Sequence, residues 1–386
     1  MDIVFVKHLS STLNELILIK VMKNIFLIIF ILMANTSVFA QGIPSYISSN
    51  GLLGWYPFNG NSSDESGNGN DGVLQNFDPN GIVNGPILDF DRNGAQNSSY
   101  SFPGAKDNIR IAPPIVSSVS NEMGVSLWVK LDSLSPSGGI FRKNFIGGNQ
   151  DQNHLFFDSA KQKLRIYNQS SHYATYNFNN LNKWNYLCWN LEDSIVELYI
   201  NGTSQGIQKI NFPFNSTSGD VFFGGTRGWG FINGNIDDVG IWNRSLSPCE
   251  VCNIYNEGVD TILPTVSTKN DTIYLNFKGT SVSTLSLVNN GSSDNCGIAS
   301  MRLSDSIFDC SDVGFNTIYL IVTDWCGNID SASAVITVQD TIKPTVLTQN
   351  VTVSLDASGI GSITVSDVDN GSTDNCSIAT RTLSKI

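Results

Sequence analysis

The 386-residue chain carries 22 Lys and Arg against 34 Asp and Glu, a formal net charge of −12, and only 15% of its residues are charged. A surface of that sign repels nucleic acid and acidic lipid, while neutral glycans, cations and basic proteins stay open as partners. The length allows two or three domains, and the wealth of Ser, Thr, Asn and Gly is that of an extracellular β-protein rather than a helical cytoplasmic one.

The chain opens with an export signal. Met22-Lys23 gives the positive start, Ile25 to Ala34 an unbroken apolar run, and Val38-Phe39-Ala40 a small-residue cleavage site before Gln41. That run is well short of the roughly 18 apolar residues that span a bilayer, and no other stretch qualifies. Residues 1–21 precede the better start at Met22 and read as a mis-assigned start or an extended leader. Residues 1–40 are therefore signal and leader, and the mature chain meets an oxidising compartment where disulfides persist. All seven cysteines lie beyond Gln41. An odd number demands at least one free or intermolecular thiol.

From residue 51 to 258 the chain alternates apolar and polar residues between Asn/Gly turns, the pattern of a two-sheet β-sandwich. Val125, Leu127, Val129 and Leu131 share one face of a strand, with Ser126, Trp128 and Lys130 on the other. Trp184–Leu191 and Ile195–Ile200 read as a hairpin through Glu192-Asp-Ser194, and Asn201-Gly202 carries a type I′ turn signal. Ile236, Val239 and Ile241 suit a closing strand. Pro248 to Tyr255 alone reads as helix, with Ser247 as N-cap, Pro248 at the first position and Glu250 in the first turn.

Several ordered segments resemble the laminin-G-like family over about residues 51–257. They are Trp55-Tyr-Pro-Phe-Asn-Gly-Asn61, Asp64-Glu-Ser-Gly-Asn-Gly69, Asp91-Arg92, Tyr100-Ser-Phe102, Val125-Ser-Leu-Trp-Val129, Leu198-Tyr-Ile-Asn-Gly202 and Ile236-Asp-Asp-Val239. The resemblance implies an all-β, concanavalin A-like jelly roll spanning 41–258, and binding rather than catalysis.

After a linker at 257–263 a repeat appears. Pro264-Thr-Val matches Pro344-Thr-Val, and Asn290-Gly-Ser-Ser-Asp-Asn-Cys-Gly-Ile-Ala299 matches Asn370-Gly-Ser-Thr-Asp-Asn-Cys-Ser-Ile-Ala379, both at an offset of 80 residues. A period of that length built from Val/Thr/Ile strands predicts one small immunoglobulin-like β-sandwich per repeat, 264–342 and 343–386. Thr323-Asp-Trp-Cys-Gly-Asn328 followed by Ala334-Val-Ile-Thr-Val338 resembles the hyalin-type repeats of extracellular adhesive proteins. The second repeat stops about halfway, so the sequence reads as a fragment of a longer protein. Cys376 is then the orphan of a broken pair, most simply matching Cys296 with Cys310 in the complete repeat. The resemblance implies a further cysteine pair at the positions of Thr268 and Ala332, absent together here.

Two loops, Asp64-x-Ser66-x-Asn68-Gly69 and Asp89-x-Asp91-x-Asn93-Gly94, have the alternating oxygens and turn glycine of a calcium loop. Gln75 and Tyr100 stand where an EF-hand needs Glu, and no helices flank them. A structural calcium, sharing Asp237 or Asp238, competes with a plain reading as Asn/Asp/Gly turns. No organic cofactor is implied.

Catalytic patterns are poor. Gly202-Thr-Ser204-Gln-Gly206 matches a nucleophile-elbow string, but the residues that follow alternate like a strand and only His154 and His172 remain in the mature chain. No E-x-D-x-E string offers paired acids on one strand, and Asp237-Asp238 should point to opposite faces. Cys249-x-x-Cys252 at a helix start has redox spacing without a βαβ context, and reads as a structural bridge, to each other or from one to Cys188.

For a ligand, Tyr167, His172, Tyr173, Tyr176, Arg227, Trp229 and Phe231 fall in loops or strand ends. Aromatic faces stack on sugar C–H surfaces and Arg fixes hydroxyl or carboxylate groups, against the plain alternative of core packing. Trp229, between Gly228 and Gly230, is the leading candidate, followed by Arg227, Tyr173 and Tyr176. Asp-Ser/Thr-apolar triplets such as Asp271-Thr-Ile resemble bacterial O-glycosylation acceptors, or simply strand ends. The expectation is a secreted or cell-surface adhesion or carbohydrate-binding protein, not an enzyme in this region. Its partner would be a glycan or a cell-surface protein, with the repeats as a stalk. The alternatives are an accessory module of a larger secreted polysaccharide hydrolase, or a structural surface protein whose jelly roll contacts protein.

Overall fold

The computed structural model describes residues 42–76, 85–103, 107–112, 122–133, 135–143, 152–168, 172–210, 219–226 and 230–384. The expected leader at 1–40 lies outside these residues, as do Arg227 and Trp229. The chain divides into two compact units, Met1–Leu246 and Ser247–Ile386. The helix read at 248–255 thus belongs to the second.

In the first unit the strands in chain order are β1 (Leu52–Tyr56), β2 (Gly72–Asn76), β3 (Ile87–Asp89), β4 (Ser99–Pro103), β5 (Asp107–Ile111), β6 (Glu122–Leu131), β7 (Gly138–Lys143), β8 (Gln152–Asp158) and β9 (Lys163–Asn168). They continue as β10 (His172–Asn177), β11 (Trp184–Glu192), β12 (Ile195–Ile200), β13 (Thr203–Lys209), β14 (Val221–Phe223), β15 (Gly225–Thr226), β16 (Gly230–Phe231) and β17 (Asn233–Trp242). An eight-stranded sheet runs β13-β12-β11-β6-β17-β4-β3, with β1 on β17. A nine-stranded sheet runs β10-β9-β8-β7-β14-β5-β2, with β15 and β16 beside β7. This is the jelly-roll sandwich that the alternation predicts.

Its core is the meeting of the two inward faces. Val125, Leu127, Val129 and Leu131 of β6 are fully buried, and they join Phe141, Leu155, Ile166, Val221 and Phe223 from the other sheet in one cluster. The β11–β12 hairpin pairs Glu192 with Ile195. Asn201 and Gly202, at φ of 51° and 75°, supply the two left-handed residues a type I′ turn needs. The free edge of β1 is covered by side chains: Asn68 Nδ2 donates to Leu52 O at 2.9 Å and Asn70 Nδ2 to Leu53 O at 2.8 Å, while Asp64 Oδ1 accepts Trp55 N at 3.0 Å. An edge sealed in this way cannot recruit a stray strand.

The second unit begins with helix α1 (Pro248–Asn256), closed by a full capping box between Ser247 and Glu250. Strands β18 (Asp271–Tyr274), β19 (Thr280–Val282), β20 (Ile298–Leu303), β21 (Ile307–Asp309), β22 (Gly314–Asp324) and β23 (Ile329–Gln339) then build a β18-β23-β22-β20 sheet and a β19–β21 pair. They enclose Ile273, Leu275, Val288, Phe308, Ile318, Leu320, Val322, Ile336 and Val338. Short helices α2 (Leu285–Val288) and α3 (Val365–Val368) recur at the 80-residue offset. So do the isolated bridges Thr265–Ser293 and Thr345–Thr373, and Thr268–Asn289 and Thr348–Asp369. Past residue 343 no strand is assigned among the described residues.

The disulfides correct the expected pairings. Cys249 bonds Cys326, Cys252 bonds Cys296, and Cys310 bonds Cys376; Cys188, buried in β11, takes part in none of these three bonds. Cys249 and Cys252 sit one helical turn apart and each reaches a different loop of the first repeat, so neither bonds the other or Cys188. Cys296 does not pair with Cys310, and Cys376 is no orphan. In both repeats the cysteine of the Asp-Asn-Cys turn bonds backward, to whatever precedes that repeat.

Candidate functional site

Strand alternation turns every second residue of the nine-stranded sheet away from the core, and the register lines those residues up. Phe222 of β14 stands between Arg110 of β5 and Arg142 of β7. Arg142 is opposite His154 of β8, His154 opposite Tyr167 of β9, and Tyr167 opposite Tyr173 of β10. A line of two arginines, a histidine and three aromatic residues therefore crosses six strands. Beside it lie Phe156 and Arg165, themselves register partners.

The geometry along this face is ordered. Arg165 is ion-paired to Asp158 and donates from Nη1 to the Tyr167 hydroxyl at 3.1 Å. The Tyr167 ring meets Phe156 edge-on, with centroids 5.9 Å apart. Arg110 pairs with Asp220 at 3.0 Å. Phe222 is 6% exposed and Tyr167 9%, so both rings are largely covered. Burial lowers the Arg142 pKa to about 10 and that of its fully buried neighbour Lys143 to about 8. A guanidinium stripped of part of its water is a strong donor to hydroxyl or carboxylate oxygens.

The sequence-derived candidates separate on this frame. Tyr173 belongs to the line by register. Tyr176 does not: three positions on in the same strand, it has opposite parity, is 4% exposed within the core cluster and donates its hydroxyl to Val196 O at 3.4 Å. Burial, and then the charge of Glu197, raises its pKa. It is thus a core residue and not part of a sugar surface. Arg110, Arg142, Phe156, Arg165 and Phe222 were missed because each is unremarkable alone. Only the cross-strand register gathers them.

The two calcium-like loops use their oxygens on themselves. Asp64 Oδ1 accepts Ser66 N as well as Trp55 N, and Oδ2 accepts Asn70 N at 2.9 Å; Ser66 Oγ accepts from Asn68 Nδ2. Asp89 Oδ1 accepts Phe90 N and Oδ2 accepts Asn235 Nδ2 at 3.0 Å, which lowers the Asp89 pKa. Asp91 Oδ1 accepts Asn93 N and Ala95 N at 2.9 and 2.7 Å. These are Asx turns. Among the described residues, no three carboxylate, thiolate or imidazole ligand atoms gather at either loop.

The second turn serves to aim Arg92. Its guanidinium lies over the Trp128 ring at 4.6 Å and reaches Asp237 Oδ2 at 3.1 Å and Asp238 Oδ2 at 2.7 Å. The expectation that Asp237 and Asp238 face opposite ways fails at a β-bulge between Asp237 and Gly240, where Asp238 takes a φ of 46°. The same bulge lets both Ile236 and Val239 point inward despite their odd spacing. Gly202–Gly206 forms the turn and start of strand β13, with Ser204 Oγ donating to Glu197 Oε1 at 2.6 Å. No helix follows it, so the nucleophile-elbow geometry is not met.

Residues 103–252 match the Laminin_G_3 family model, described as the concanavalin A-like lectin/glucanases superfamily. No curated protein matches the sequence. Similar solved structures include domain 4 of AbnA, a GH43 extracellular arabinanase from Geobacillus stearothermophilus, in complex with arabinotriose (22% identity, TM-score 0.42, 52% of this chain and 96% of that one). Others are the ligand-binding domain of botulinum neurotoxin serotype D with N-acetylneuraminic acid (16% identity, TM-score 0.42, 71% of each chain) and Trypanosoma rangeli sialidase with sialic acid (14% identity, TM-score 0.42, 55% of this chain and 34% of that one). No helix among the described residues is long and apolar enough to cross a membrane. Three disulfides accord with an extracellular protein.

Proposed function

We propose that the jelly-roll unit binds carbohydrate on the outward face of the nine-stranded sheet, and that the chain serves as a secreted or cell-surface adhesion protein without catalytic chemistry in this region. The observation that carries this reading is the line Arg110–Phe222–Arg142–His154–Tyr167–Tyr173. It brings cationic donors and aromatic rings together on a protein whose net charge is −12, a combination suited to an acidic or hydroxyl-rich sugar. The hyalin-like repeats would hold that face away from the cell.

The test is a glycan array followed by calorimetry on the best ligand. Arg142→Ala and Tyr167→Ala should each weaken binding at least tenfold, about 1.4 kcal/mol, at unchanged folding. Full affinity in both would remove this face as the site. If Trp229→Ala alone abolished binding, residues 227–229 would take its place. Repeating the titration with chelator tests a structural calcium at the Asp64 or Asp89 turns, which requires loss of affinity or melting temperature that calcium restores.

A further inference from the structure

Helix α1 gathers three acids of the second unit. Asp294 and Asp324 each stand two residues before a cysteine bonded to α1, through Cys296–Cys252 and Cys326–Cys249. Asp260 follows the helix, and its N–H donates to Asn253 Oδ1 at 2.9 Å. One ligand oxygen from each acid lies within 4.8 Å of the other two. Two calcium–oxygen bonds of about 2.4 Å span that distance.

The cluster lacks a positive partner. Asp324 is 1% exposed, yet its carboxylate accepts only from Asn328, N at 2.9 Å and Nδ2 at 2.8 Å. Asp294 Oδ1 accepts Cys296 N at 2.7 Å, but Asp294 Oδ2 is buried with no hydrogen bond at all. Among the described residues no ion pair reaches any of the three. Burying unpaired carboxylate oxygens is costly, and a bound cation removes that cost. The feature is met twice. Asn295 Nδ2 donates to Asp260 Oδ1 at 3.1 Å, and 80 residues on Asn375 Nδ2 donates to Asp340 Oδ1 at 3.1 Å, with Asp374 Oδ2 again buried and unpartnered. Asn328 Nδ2 stands between Asp324 Oδ2 and Asp260 Oδ2, at 2.8 and 3.5 Å. Turning over that amide would present its oxygen to an ion in the same place.

We infer that Asp260, Asp294 and Asp324 form a calcium site, separate from the Asp64 and Asp89 turns, that ties the segment after α1 to two turns of the first repeat. Ligation by anionic oxygens selects a hard cation. The disulfides hold the acids together, and a bound ion turns their mutual repulsion into attraction.

The test uses the full, oxidised chain stripped with chelator. Calorimetric titration with calcium chloride to about 10 mM, above the roughly 0.1–1 mM of extracellular calcium modules, should show saturable binding. Calcium should also raise the melting transition of the second unit. Asp294→Asn, which keeps an oxygen for Cys296 N, should weaken binding more than tenfold and abolish the rise, as should Asp324→Asn. Asp91→Asn should leave both unchanged. Each variant is compared with itself with and without calcium, so a lower baseline stability does not imitate the result. No saturable binding to the wild type, or a rise that persists in Asp294→Asn or Asp324→Asn, overturns the inference. So does binding that Asp91→Asn alone abolishes, since the ion would then sit at the Asp89 turn.

Discussion

Three positions within β10 separate Tyr173, in register with Tyr167, from the core residue Tyr176, and the number is odd. Composition places Tyr173 and Tyr176 together as aromatic candidates; the period of two sends them to opposite faces. A single bulge reverses the same rule at Asp237 and Asp238, turning two acids meant for opposite faces onto Arg92. Burial, and then Asp238, hold Asp237 well above the usual carboxylate range despite Arg92, and burial with Asp238 raises Glu65. Both groups bind protons more tightly folded than unfolded. Their contribution to stability is therefore complete at low pH and is lost as pH rises from the ordinary values of 3.8 and 4.5 through the raised ones. Asp238→Asn, which keeps a side chain tolerant of positive φ, should lower the melting temperature through loss of its ion pair yet flatten its fall across that window. An unchanged slope in a pH series of thermal melts would clear Asp238 of this role.

Elements with local signatures were legible in the sequence. The β11–β12 hairpin, the Asn201-Gly202 turn, the inward face of β6 and helix α1 each follow from residues within a few positions of one another. The helix start is the sharpest case: Ser247 and Glu250 cap each other's backbone amides, so Ser247→Ala should destabilise the second unit by about 1 kcal/mol, read as a shift of its own melting transition. Features that join distant segments were not legible. Disulfide partners lie 77, 44 and 66 residues apart, and spacing along a chain does not encode which sulfurs meet in space. The outward line of the nine-stranded sheet failed for the same reason, since six strands from 107 to 223 contribute one residue each. The alternating oxygens of the Asp64 loop were legible as a pattern, but their work of sealing the edge of β1 depends on what lies opposite.

At the scale of the molecule, a jelly-roll sandwich is followed by a unit whose covalent path differs from its sequence. A tensile load entering at α1 would pass from Cys252 to Cys296, along the short stretch to Cys310, and across to Cys376. Residues 253–295 and 327–375 would be shunted and feel no pull, while the Cys249–Cys326 bond puts residues 310–326 on a parallel load path. While oxidised, a unit cross-linked in this way is short and stiff under load. Reduction should release the shunted segments, separated by 44 and 66 residues, and lengthen a single pulled molecule by on the order of 350–400 Å at ~3.5 Å per residue. Force spectroscopy with and without reductant measures that difference directly, and equal contour lengths would mean that the bridges bear no load.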